Sequence, residues 1–369
     1  TENHSELFKD DKDDGINELV RLLPQDVGSL TISYFSANTL FGQDDFGVNL
    51  FSQFEENRAI ISRRIGDTNT SHPEDGPDYT EGFGKTQQEV LIPAFVSAYS
   101  GKDASTTKLD IFNTTPLPNW RLTYNGLSKI GWFKQWFNSV NITHGYKSTL
   151  TVNSYNTNLN YDAGSPRGDE NLNPETKSYY SRLEIPQVVI NEQFAPLIGF
   201  DFRLKNDMSI KVDFKKSRNL QMDFLSYQLA ETKTTEYTAG FGYTMQGVNI
   251  SFLTGGKKKS KNKKPDDPGL KLPSTNRGRG GSGQPQDLNL NFDFSLRDDI
   301  TINHLLDQEI QEPTRGQMQM RISPSMDYQL NKRLNLRLFV DYSRNVPKTS
   351  QSAPRTDING GLMVRFTLN

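Results

Sequence analysis

DLNLNFDFSLR, residues Asp287 to Arg297, is the stretch that decides the fold of this 369-residue chain. Its leucines and phenylalanines stand at every second position, with asparagine, aspartate and serine between most of them. Successive side chains of a β-strand point to opposite faces, so this stretch predicts a strand with one apolar and one polar face. A helix would spread the same apolar residues around its whole circumference.

The same alternation recurs through most of the chain after residue 119. It is found at 140–152, 198–204, 210–224, 237–245, 317–330, 333–343 and 358–368. Tight turns are predicted at Lys205–Asp207, Gln246–Gly247, Arg297–Asp299 and Asn331–Arg333, and longer polar loops at 156–184, 227–235, 254–286, 306–315 and 345–355. These signals predict an all-β, up-and-down antiparallel sheet with turns at one end and long loops at the other.

Composition excludes several classes of protein. There is no cysteine, which excludes disulfides, Cys-ligated zinc and thiol catalysis. The four histidines are scattered without metal-ligand spacing, and no apolar run approaches the roughly 18 residues of a transmembrane helix. A net charge of −2 gives no reason to expect nucleic acid as a partner. We therefore expect no enzymatic activity, no cofactor and no metal site.

Two environments produce strands with one apolar face. In a soluble sandwich or barrel that face is the core, whereas in an outer-membrane β-barrel it meets lipid and the polar face lines the lumen. Strand length favours the membrane, since the alternation in 210–224 and 317–330 exceeds the roughly 9–11 residues that cross a bilayer. The alternation of short turns with long loops favours it too.

Aromatic residues give a third indication. All three tryptophans crowd around the predicted turn at 126–138, and aromatic side chains concentrate at membrane–water interfaces. The predicted interface residues are Trp120, Tyr124, Trp132, Phe133, Trp136 and Phe137. An ordinary hydrophobic mini-core under a loop is the alternative for this cluster.

Polar residues of the last three predicted strands are candidates for the lumen. They are Arg321, Asp327, Asn335, Arg337, Asp341 and Arg365. Both signs of charge are present, which suits a water-filled conduit for varied cargo better than a site for one ligand. No set of residues with the order or spacing of a catalytic triad is present.

Three long segments carry a resemblance to a known family. They are Pro116 to Trp136 (PLPNWRLTYNGLSKIGWFKQW), Asn191 to Asp207 (NEQFAPLIGFDFRLKND) and Met326 to Ser350 (MDYQLNKRLNLRLFVDYSRNVPKTS). They resemble the C-terminal part of the SprA (Sov) family, the outer-membrane translocon of the type IX secretion system in Bacteroidota. Members of that family are much longer, which fits the expectation that this chain is a fragment or a processed product of a longer protein.

The resemblance also implies a function and partners. It implies a very large single-chain β-barrel in the cell outer membrane that exports folded proteins to the cell surface and supports gliding motility. The implied partners are the remainder of the same translocon chain, secreted cargo proteins, a PorV-like outer-membrane protein, a plug protein, and outer-membrane lipid or lipopolysaccharide. The family has no catalytic motif to carry over.

The sequence thus predicts two regions. Residues 1–90 are expected to form an irregular cap with a few strands or short helices, and residues 91–369 to form transmembrane β-strands, ending in a C-terminal strand at 356–369. A self-contained outer-membrane porin or receptor, and a soluble β-sheet binding module or enzyme, remain alternatives. A basic segment (KKKSKNKK, 257–264) and a G-x-G-x-x-G match at Gly278, Gly280 and Gly283 both fall in the loop at 255–286, where solvated, flexible chain is the expectation.

Overall fold

A computed structural model describes residues 2–5, 8–11, 18–21, 25–42, 48–248, 286–306, 310–331, 333–349 and 352–367. The basic segment at 257–264 and the glycine-rich match at Gly278 to Gly283 lie outside these residues. So do the last two residues of the predicted C-terminal strand, 368 and 369.

Strands dominate the described residues and confirm the prediction of an all-β antiparallel fold. Their bounds are β1 (Glu2–Ser5), β2 (Phe8–Asp11), β3 (Glu18–Arg21), β4 (Gln25–Ser33), β5 (Trp120–Tyr124), β6 (Phe137–Thr157), β7 (Leu183–Glu184), β8 (Gln187–Leu204), β9 (Met208–Asp223), β10 (Gln228–Val248), β11 (Gln286–Leu305), β12 (Ile310–Asn331), β13 (Leu334–Pro347) and β14 (Arg355–Phe366). Three helices accompany them: α1 (Val48–Ile65), α2 (Gln88–Ser100) and α3 (Gly131–Trp136).

One large sheet holds all of these strands except β2 and β3, which pair with each other. Its order is β1-β4-β6-β8-β9-β10-β11-β12-β13-β14, and β5 and β7 also pair with β6. From β8 to β14 every strand lies beside the next strand in the chain, as expected for an up-and-down sheet. Among the described residues the sheet is open, with β1 at one edge and β14 at the other.

The connections differ from the predicted pattern. The turn at 205–207 joins β8 to β9, but Arg297–Asp299 lies inside β11, and most of 227–235 and 306–315 belongs to β10 and β12. Those predictions were wrong because charged residues on the otherwise apolar face, including Glu231 and Lys233, interrupt the alternation without ending the strand.

The two ends of the sheet are not divided into turns and long loops. One end, the turn end, carries the connections at 205–207 and 332–333. Strand β10 ends and β11 begins at this end as well, with Val248 paired to Gln286. The opposite end, the cap end, carries the connections at 158–186, 224–227, 306–309 and 348–354.

Helices α1 and α2 cover one face of the sheet near the cap end. Helix α2 is apolar on all sides (QEVLIPAFVSAYS), so it must be surrounded, and its residues from Val90 to Ser100 are all buried. It ends at Gly101, whose φ of 68° is the left-handed conformation that glycine adopts at low cost. The predicted boundary at residue 90 falls within α2, and residues 91–100 are helical rather than strand.

The main hydrophobic core lies between these helices and the sheet. It joins Phe51 and Phe54 of α1 and Phe95 of α2 to Leu150, Ile190 and Leu220 of three neighbouring strands. Strand β4 also packs on it through Leu30 and Ile32, so part of region 1–90 belongs to the sheet. None of the helices within the described ranges is long and apolar enough to cross a membrane.

Candidate functional site

The half of the sheet nearer the turn end carries a continuous apolar face, which we call the bare face. One row across it, set by the register of seven strands, consists of Phe200, Val212, Ala239, Phe294, Ile322, Tyr342 and Ile358. The exposed fraction is 41% at Val212, 42% at Phe292, 46% at Leu338 and 72% at Ile358. Contiguous apolar surface on this scale marks contact with lipid or with another protein.

The opposite face of the same strands is polar, and it holds all six predicted lumen residues. Asp327 and Arg337 are direct cross-strand partners with a carboxylate–guanidinium distance of 3.9 Å. Arg321 reaches Asp341 at 3.4 Å. Arg365 lies opposite Asn335. The structure therefore brings these residues together on one surface of β12, β13 and β14.

Hydrogen bonds between polar side chains continue across this polar face. Thr234 donates to Asp299 at 2.7 Å, and Thr244 donates to Asn289 at 2.8 Å. Lys215 reaches Glu236 at 3.4 Å. Cross-strand pairs of this kind stabilise a sheet while leaving its surface hydrated.

Most of the predicted interface aromatics lie at the turn end. Trp132 and Trp136 of α3 are 64% and 61% exposed, and α3 runs directly into the first residue of β6. The ring of Phe137 lies 5.6 Å from that of Phe202 at the edge of the bare face. This is the arrangement that an aromatic girdle at the rim of an apolar belt requires.

Trp120 differs from the other predicted aromatics. Its ring packs 4.8 Å from Tyr146 and 6.1 Å from Phe35, in a second hydrophobic cluster that includes Leu40 and Phe194. The side chain of Trp120 points to the same face as Leu122 and Tyr124, but it lies further from the turn end, where the segment after β4 covers the sheet. Trp120 is therefore a packing residue.

Beneath the helices, the apolar side of the sheet holds charged residues that we call the buried charge cluster: Glu192, Arg218, Glu231 and His304. Arg218 pairs with Glu192 through a hydrogen bond of 2.5 Å from Nε, and its Nη1 lies 3.8 Å from Glu231. The ring of His304 stacks on Phe51 of α1 at 4.4 Å.

Arg218 also binds the covering layer. Its Nη2 donates to Thr39 Oγ1 at 2.6 Å and to the carbonyl of Tyr99 at 3.3 Å. Tyr99 lies in the last turn of α2, where carbonyl groups lack helical partners and a cation is favourable. Ser36 donates to Glu192 at 2.6 Å. The cluster therefore fastens α2 and the 36–39 segment to the sheet.

A serine, a histidine and an aspartate meet near the 67–86 loop. His72 Nε2 lies 3.3 Å from Ser178 Oγ, and His72 Nδ1 lies 3.5 Å from Asp75 Oδ2. However, Nδ1 accepts the backbone N–H of Asp75 at 3.1 Å, which places the proton on Nε2. A histidine in that tautomer donates to the serine and cannot take its proton, so the geometry does not support a nucleophilic triad.

The same group of residues instead joins two loops. Ser178 Oγ accepts the N–H of Gly84 at 3.2 Å, and both His72 and Ser178 are buried. A Cβ at Gly84 would lie 2.5 Å from Asp75, so only glycine fits there. Burial raises the pKa of Tyr179, whose ring lies 5.6 Å from that of Phe83.

Comparison with known proteins adds no assignment. No known family matches the chain. No curated protein matches it either. The resemblance to the SprA family therefore depends on the three segments quoted above.

Sequence reasoning missed both the buried charge cluster and the His72 group. Their members are far apart in the chain, and the segment 227–235, which holds Glu231, was interpreted as a loop. One signal was available, since Glu192, Arg218 and Glu231 occupy positions that continue the apolar alternation of their strands.

Proposed function

We propose that this sheet is part of the wall of a large outer-membrane β-barrel that exports folded proteins, as the translocon of type IX secretion does. The observation that carries the proposal is the bare face, backed on the same strands by a polar face. Lipid on one side and water on the other would satisfy both faces at once.

Strand length supports the proposal. Strands β8 to β14 contain 12 to 22 residues, whereas about 9–11 residues cross the hydrocarbon region. The two edges fit it as well, because backbone groups at an open edge need a partner in a membrane. Further strands of a longer chain would pair with β1 and β14.

The conduit itself is supported by the polar face and by the resemblance. The polar face carries both signs of charge, paired for example between Arg337 and Asp327, which suits passage of varied cargo. The proposed partners are those that the resemblance implies: the rest of the translocon chain, cargo proteins, a PorV-like protein and a plug protein.

Spin labels on adjacent residues of β13 test the membrane orientation. Because the chain has no cysteine, Leu338→Cys and Arg337→Cys each give a single labelling site, one on each face. In native membranes we expect the label at 338 to be relaxed by oxygen and the label at 337 by a water-soluble nickel complex. Two results would refute the lipid contact. A label at 338 that neither reagent relaxes would be buried in protein, and a label at 338 that nickel relaxes as strongly as the label at 337 would be in water.

Export is tested separately in cells depleted of the protein. We expect folded cargo to accumulate in the periplasm and to disappear from the surface. Unchanged surface delivery would refute the translocon and leave a porin or receptor barrel as the function of the same wall.

A further inference from the structure

On β9, β10 and β11 the bare face ends where polar and charged residues begin. On β9 and β10 its last members are Phe214 and Tyr237, whose rings stack at 4.7 Å. In the next row towards the cap end, Lys216 of β9 and Asp298 of β11 lie on either side of Thr235 of β10. Lys233 of β10 lies one row nearer still to the cap end. The apolar surface therefore gives way to charged residues within two rows.

A cleft opens at this level between the sheet and the segment that precedes α1. Its volume is about 470 Å³, and its lining includes Lys216, Lys233, Lys348, Asp298, Thr39 and Leu40. We call it the cationic cleft. Three lysines and one aspartate line it, an excess of two positive charges.

The lysines differ in how far they are neutralised. Lys348 pairs with Asp298 at 2.7 Å, and Lys233 lies 3.4 Å from Glu231 of the buried charge cluster. Lys216 lies over the ring of Phe41 at 5.0 Å, and no carboxylate of the described residues pairs with it. Its ammonium group is thus held in the cleft by packing and is available to an anion.

We propose that the cationic cleft binds the phosphate of a membrane lipid headgroup whose acyl chains lie on the bare face. This inference rests on the proposed membrane function. Lysine binds phosphate as a point charge, and basic pockets at the membrane surface bind anionic headgroups. The cleft lies where an acyl chain on the bare face would end and its headgroup would begin.

Because the cationic cleft adjoins the bare face, a lipid phosphate and a soluble phosphate would make different contacts there. A free phosphate would gain only the ammonium groups, whereas a lipid phosphate also gains the apolar contacts of its chains with Phe214 and Tyr237. We therefore name a phosphorylated lipid as the ligand and expect inorganic phosphate to compete poorly.

The test uses the full-length protein in detergent, with native mass spectrometry to measure binding of diphosphorylated lipid A. Loss of one lysine near an anionic headgroup weakens binding by about fivefold, so we expect that change in the apparent Kd for Lys216→Gln. The matched control is Lys211→Gln, a lysine of the same strand on the polar face. That control should bind as the wild type does.

Three results would overturn the inference: equal binding by Lys216→Gln and Lys211→Gln, equal binding of lipid A from which the phosphates have been removed, or displacement of lipid A by millimolar inorganic phosphate. If Lys216→Gln does not fold, Lys348→Gln replaces it, because Lys348 is partly exposed. The spin labels at 337 and 338 test the lipid contact of the sheet without depending on the cleft. A cleft that does not bind lipid A would leave the spin-label result unchanged, whereas a sheet outside the membrane would change it.

Discussion

Two halves of one sheet face differ in what lies against them. On β9, Leu220 and Met222 near the cap end are fully buried under the helices, whereas Val212 near the turn end is 41% exposed. All three lie on the same face of one strand, in one unbroken register with β10. The comparison teaches that alternation identifies the face of a strand but not the solvent or layer that the face meets.

The covered half contains buried charge. Glu192, Arg218 and Glu231 lie on the same face as the leucines around them, and Arg218 donates hydrogen bonds to Thr39, ahead of α1, and to Tyr99 of α2. Among the described residues no such layer covers the bare half. Its side chains on β9, β10 and β11 are apolar, and Arg344, which β13 adds to this face, is exposed. A buried charge is therefore found on this face where protein satisfies it.

The largest effect is expected where a phenylalanine is removed from the covered half rather than from the bare half. Phe95→Ala empties a fully buried site in α2 and should lower the free energy of unfolding by about 3–5 kcal/mol. Phe292→Ala on the bare face should cost about 1–2 kcal/mol, because fewer protein atoms surround that ring. Urea titrations of both variants in lipid vesicles measure the difference, and equal losses would show that protein packs on the bare half too.

A second variant removes the charge that fastens the helices. Arg218→Met leaves the buried Glu192 without its cation and Glu231 with Lys233 alone, and it should cost about 3–5 kcal/mol. Adding Glu192→Gln should recover part of this loss. Arg321→Met, which removes an exposed ion pair with Asp341, is the control and should change the unfolding free energy by less than about 1 kcal/mol.

A third variant adds a charge to the bare half. Leu338→Arg should cost about 2–4 kcal/mol if the side chain meets the middle of a bilayer. Ser325→Arg, on the polar face of the neighbouring strand opposite Phe339 and Asn291, should cost less than about 0.5 kcal/mol. Refolding into vesicles measures both, and a cost near zero for Leu338→Arg would mean that water, not lipid, contacts β13.

The smallest effect is expected on the polar face. Arg337→Ala breaks the 3.9 Å pair with Asp327, in which Arg337 is about half exposed, and should cost no more than about 0.5 kcal/mol. Raising the salt concentration should shrink that cost further by screening. A loss of several kcal/mol would indicate that this face is closed from water.

The sequence was sufficient for the strands and insufficient for what covers them. Period-2 alternation located β14, most of β13 and the first half of β11, because one side of each of these stretches is apolar. It failed for Leu91–Val96, since a short apolar run has no period to separate a buried helix from a buried strand. It failed at 227–235 because Glu231 is paired on the apolar side with Arg218 of the neighbouring strand, a contact that the sequence does not show, and Lys233 is paired with Glu231.

Two separate strands, β4 and β5, pair one after the other with the same edge of β6. The polypeptide leaves this edge of β6 after Ser33 and returns at Leu117. The N–H of Leu117 donates to the carbonyl of Ser33 at 3.0 Å. Everything between them, α1 and α2 included, is an excursion with adjoining ends. Loop closure costs grow only slowly with length, so such an excursion can lengthen, shorten or change its sequence while the pairing of β6 stays in place. The helical cover is in this sense an insertion whose two chain ends meet at one point of the sheet, while the core and the buried charge cluster hold it in place.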